Sequence, residues 1–194
     1  MGLSRDVRLW AWGPWLLGAL VGGCTIGSGE GEVRGTVTAL SCGLDGADYD
    51  LQPTFFGSSP VEEQLEIRVQ RGSDLEGKSD GIAILVADAA LVRGELLGTQ
   101  LPFEEGGMVR MNVYLNGSCP VDRRHGPVNY EAVSGSILFD NIYAPLLTED
   151  DNEVAARFED VLLVDPVAAE TRNALLSGHF RFLHNRGRPA QRFP

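Results

Sequence analysis

The chain has 194 residues and a formal net charge of −11. That length is one domain with room for a real core, and 43% apolar residues exclude wholesale disorder. The acidic balance excludes nucleic acid and anionic membrane surfaces as partners held by charge.

The first distinct stretch is Leu9 to Cys24, LWAWGPWLLGALVGGC, preceded by Arg5 and Arg8. Its apolar part, Leu9 to Val21, is 13 residues. As a helix it covers only ~20 Å, short of the ~30 Å hydrocarbon layer, so it suits a secretory signal better than a membrane span. Leu20-Val21-Gly22-Gly23-Cys24 resembles the bacterial lipobox, with Val21 at the place usually held by leucine. The resemblance implies cleavage before Cys24, acylation of Cys24, and anchoring in a membrane through those acyl chains. Thr25, a residue other than aspartate after the cysteine, implies the outer membrane of the cell envelope. The expected segments are a signal peptide over 1–23, a lipidated flexible tether over 24–32, a β domain over 33–185 and an arginine-rich tail over 186–194. Cys42 and Cys119 then remain as an even pair in an oxidising compartment, which predicts a disulfide.

Past the Gly-rich tether, Val33 to Cys42 reads as the first strand, and Gly43 to Asp50 as an acidic loop. Leu51 to Phe56 is a short strand whose Pro53 suits a sheet edge. Leu65 to Gln70 alternates strictly, as a strand with one buried face does. Gly81 to Ala87 is continuously apolar and bounded by turn residues, which favours a buried strand over a helix. Leu96 to Phe103 is broken by Gly98 and Pro102. Met108 to Leu115 and Val133 to Ile142 alternate again, the latter placing Val133, Gly135, Ile137 and Phe139 on one side. Glu153 to Val164 fits either a helix capped from Thr148 or a strand. Asp165-Pro166 opens one or two helical turns, and Gly178 to Leu183 is a last strand. The sum is a mainly β fold: an antiparallel β-sandwich of about seven to nine strands, or a small β-barrel, with at most one or two short helices.

One motif is formally good. Gly72-Ser73-Asp74-Leu75-Glu76-Gly77-Lys78-Ser79 satisfies the phosphate-loop pattern, in which Gly72 and Gly77 shape the loop, Lys78 meets outer phosphates and Ser79 a metal. Asp74 and Glu76 put like charge where phosphate would lie, and Gly81 stands where a helix should begin, so nucleotide binding is the remote reading. Gly77 to Gly81 also matches the nucleophile-elbow pattern, again without a helix to follow it. His125, His179 and His184 have no spacing that joins them in a zinc site, and nothing selects one for catalysis. Asp45, Asp48 and Asp50, and Glu149 to Glu153, are acidic loops without the calcium-loop spacing, so no metal or other cofactor is expected. Tyr49, Phe55, Phe56, Tyr114, Tyr130 and Tyr143 would support a glycan site if two or three shared an exposed face.

These signals predict a non-enzymatic envelope lipoprotein with a structural or partner-recognition role, its partner an unidentified envelope protein or glycan. The alternative is a binding module for a glycan or small ligand, with or without calcium.

Overall fold

A computed structural model describes residues 29–72, 79–119, 128–144, 147 and 153–184. Ten strands account for most of them: β1 (Gly29–Ala39), β2 (Leu44–Leu51), β3 (Phe55–Val61), β4 (Gln64–Gln70), β5 (Asp80–Val86), β6 (Gln100–Pro102), β7 (Val109–Leu115), β8 (Asn129–Asn141), β9 (Glu153–Val164) and β10 (Arg172–Leu183). They form one sheet in the order β2-β1-β10-β9-β8-β7-β5-β4-β3, every neighbour antiparallel, with β6 paired to β8 off this path. The fold is mainly β, as the alternating segments predict. The hydrogen-bonded path is unbroken from β2 to β3, and the sheet curls into a half-barrel, the barrel-like of the two expected arrangements.

Alternation supplies the core. In β7, Val109, Met111, Val113 and Leu115 are buried while Arg110 is exposed. Equivalent positions of the other strands complete one apolar cluster on the concave side. Removing side chains of this kind from water contributes about 2 kcal/mol each. Contacts across that interior hold the curl. The Phe56 and Phe182 rings lie 5.9 Å apart, bringing β3 to the end of β10. Beside them Ser58 Oγ is hydrogen-bonded to His184 Nδ1 at 2.6 Å, and Tyr143 stacks on that imidazole at 3.8 Å. From β8, Tyr130 donates its hydroxyl to the Thr38 carbonyl of β1 at 2.7 Å. At the same end, a Cys42–Cys119 disulfide joins the β1–β2 connection to the turn after β7, with Cα atoms 5.5 Å apart.

Several local expectations are corrected. β1 begins at Gly29, inside the stretch read as tether, because residues 29–32 pair with 179–182 of β10. Leu40–Cys42 is a 3₁₀ turn rather than strand. The acidic segment read as a loop is β2, whose aspartates face solvent while Tyr49 and Leu51 face the core. Pro53 falls in the connector between β2 and β3, the two edges of the sheet, where its missing N–H costs no ladder bond. A short helix, α1 (Ala89–Leu91), widening into a π-turn over Val92–Leu96, was not foreseen. Its signal was Asp88, whose carboxylate accepts from the Leu91 N–H at 2.8 Å. Residues 166–171 form turns, not a helix, and Glu153–Val164 is wholly strand. In β8 the expected face holds only for Ile137 and Phe139. Register shifts between Ala132 and Ser134 and between Ser134 and Ser136 turn Val133 outward, 48% exposed.

Candidate functional site

The sequence-selected residues are scattered. Cys24, the expected lipidation position, and the tail 186–194 lie outside the described residues, as do Gly77, Lys78 and His125. Gly72 follows β4 and Ser79 precedes β5, and those strands are antiparallel neighbours. A strand, not a helix, therefore follows the phosphate-loop pattern. Among the described residues no helix N-terminus is there to receive phosphate, so the described part of the motif lends no support to the nucleotide-binding reading of Gly72, Gly77, Lys78 and Ser79. The nucleophile-elbow match fails for the same reason. Asp50 faces Arg34 at 3.8 Å and Glu153 faces Arg181 at 3.6 Å. Among the described residues no group of three or more His, Cys, Asp or Glu side chains is placed to hold a metal ion.

Two polar sites inside the barrel are built for stability. Asp80 is buried, and its carboxylate accepts from Gly117 N–H at 2.7 Å, Ser118 N–H at 2.9 Å and the Ser118 hydroxyl. That fixes the turn leading to Cys119. Ser58 and His184 are a serine–histidine pair by distance. Yet His184 is only 5% exposed and lies flat under Tyr143, so the pair clamps β3 to the end of β10.

The outer face of β4, β5, β7 and β8 is different. Ladder register sets three cross-strand rows opposite the core: Phe55, Gln70, Gly81, Tyr114, Asn129; then Gly57, Arg68, Ala83, Asn112, Glu131; then Ser59, Glu66, Leu85, Arg110. The small side chain of Ala83 lowers the floor. A turn over 104–107, closed by Gly107 N–H to the Glu104 carbonyl at 3.0 Å, raises one wall. Gly106 has φ 71°, which a side chain would resist. The result is a groove of about 690 Å³, floored by Ala83, Leu85, Asn112 and Tyr114 and bordered by Glu66, Glu104, Glu105, Arg110, Glu131 and Val133. Glu66 is neutralised by Arg68, whose Nη2 lies at 2.6 Å. Among the described residues Glu104, Glu105 and Glu131 remain against Arg110 alone, which makes this part of the groove anionic. Burial pushes the Tyr114 hydroxyl above its ordinary range, with Asn112 bonding to it and opposing that rise, so it stays a neutral hydrogen-bonding group.

An apolar strip runs into this groove. Leu175 of β10 pairs with Leu162 of β9, both exposed, and Leu162 pairs with Ser134, next to outward-turned Val133. Val133 belongs to both strip and groove. Sequence reasoning missed the strip because the alternation of β8 assigns Val133 to the core side. Of the six aromatics considered, Tyr49, Phe56, Tyr130 and Tyr143 are buried, while Phe55 and Tyr114 share the outer face. The arrangement offers hydrogen bonds, negative charge and an apolar edge: equipment for holding a ligand. Comparison with family models, with curated proteins and with solved structures finds no match to the chain.

Proposed function

We propose that the chain is a lipid-anchored lipoprotein of the bacterial cell envelope, held in the outer membrane by acyl chains on Cys24. Its half-barrel acts by recognising an envelope partner and carries out no reaction. The signal-like N-terminus supports the address, and a bridged cysteine pair suits an oxidising compartment. The observation that carries the recognition role is the groove with its adjoining leucine strip. Sheet faces turned to water are ordinarily polar, and paired leucines beside a defined cavity mark a contact surface. The test is Cys24→Ser in the native host: the protein should leave the membrane fraction and remain unacylated. Retention in the membrane fraction, without acyl mass on the unaltered protein, refutes the anchor.

A second reading is glycan binding, favoured by Phe55 and Tyr114, which share one cross-strand row of the outer face. Sugar rings stacked on those two aromatics would fit that row. Binding of cell-wall or surface oligosaccharides that is lost in Tyr114→Ala would establish it.

A further inference from the structure

We propose that the outer-face groove and the leucine strip together bind one linear segment of a partner protein, apolar in one half and rich in arginine or lysine in the other. This rests on the recognition reading above and names the class of partner. The two features are continuous, because Val133 ends the strip and borders the groove. Their lengths are set by the sheet. Leu175 to Val133 spans β10, β9 and β8, and the groove continues over β7, β5 and β4. Five strand spacings of about 4.8 Å make ~24 Å, which an extended chain covers in about seven residues.

Charge chooses the second half of the segment. Glu104, Glu105 and Glu131 make no ion pair among the described residues, and Arg110 is the groove's one cationic border group. An acidic segment would meet three like charges, whereas a basic one places its cations between Glu131 and the 104–107 turn. Asn112 and neutral Tyr114 on the floor can bond its backbone. Apolar side chains chosen by Leu175, Leu162 and Val133 fix the direction in which the segment lies. The same carboxylates disfavour anionic lipid headgroups, so the strip does not read as a membrane-contact surface.

The test uses the purified full chain and a labelled peptide with three leucines in its first half and three arginines in its second. A matched peptide carries glutamates in place of the arginines. Fluorescence anisotropy should show the leucine–arginine peptide binding at least tenfold more tightly, and weakening several-fold from 50 to 500 mM salt, as expected for charge pairs at a surface, with those salt levels about a threefold change in screening length. Glu104→Lys with Glu131→Lys should weaken it tenfold or more, as should Leu162→Asp. Val167→Asp, in the exposed turn after β9, should change nothing. Equal binding of both peptides, or indifference to the groove substitutions, overturns the proposal. A photo-crosslinking residue at position 133, compared with one at 167 in the native host, separates the two levels of the account. A discrete protein adduct at 133 with no peptide binding overturns the basic-segment class and leaves recognition standing. An adduct that is carbohydrate overturns the segment in favour of a glycan. No adduct at 133 and no peptide binding overturn both.

Discussion

Replacing Cys42 and Cys119 with alanine should cost this fold more than any single core truncation of modest size. The two residues are 77 positions apart in sequence, and β10, β9 and β8 separate β1 from β7 along the sheet. The bridge therefore ties two walls of the half-barrel that no ladder hydrogen bond joins. Closing a loop of that length in the unfolded chain removes conformational freedom equivalent to about 4.5 kcal/mol at 25 °C. A domain of this size has a guanidinium dependence of about 4 kcal/mol per molar, so the unfolding midpoint should fall by about 1 M. The assay is guanidinium unfolding followed by far-UV circular dichroism, for the double variant and for the unaltered protein with and without reductant. Reduction and substitution should give the same midpoint. A shift below about 0.2 M would mean that loop entropy is not what the bridge contributes, and the reasoning would fail.

Asp80→Ala should destabilise by about 3 kcal/mol, since the Gly117 and Ser118 donors lose their buried acceptor; urea unfolding showing less than about 1 kcal/mol would contradict the assigned anchor. Tyr49 and Tyr130 hydroxyls are both held above the ordinary 10.0, Tyr49 by burial and then by the Asp80 charge, Tyr130 by burial. A raised folded pKa means stability complete below pH 10.0 and falling as the pH climbs above it, so alkaline unfolding should begin there and flatten in Tyr49→Phe. At neutral pH the two substitutions should differ: Tyr49→Phe removes a buried hydroxyl with no hydrogen-bond partner among the described residues and should be neutral or stabilising, while Tyr130→Phe breaks the bond to Thr38 and should cost about 1 kcal/mol. Gly135→Val should lower the thermal midpoint markedly, because φ is 97° and a Cβ there would sit 2.8 Å from Val161 Cα. An unchanged midpoint would mean that the β8 bulge relaxes freely.

The strands with strict alternation, β4 and β7, were legible because one face of each is core and the other water. β5 was legible by length and apolarity, despite lacking alternation. β1 and β2 were only partly legible. Gly29 to Glu32 and the aspartates of β2 have little strand propensity of their own, and tertiary pairing decides their state. The disulfide followed from compartment logic, without any geometry. The groove was not legible, because it arises from register among β4, β5, β7 and β8, which bring Glu66, Arg110 and Glu131 together from distant sequence positions. Val133 misled for a specific reason: a one-residue register shift reverses the face of everything before it, and alternation carries no mark of a bulge.

The central claim is that this half-barrel is displayed from a membrane by Cys24, with its other two cysteines bridged. An intact mass of the protein from its native host, with thiols alkylated before and after reduction, tests that most directly. The account predicts a chain beginning at Cys24 with added acyl mass, and label on Cys42 and Cys119 only after reduction. A full-length chain without acyl mass, labelled at all three cysteines before reduction, would contradict the anchor, the export and the disulfide together.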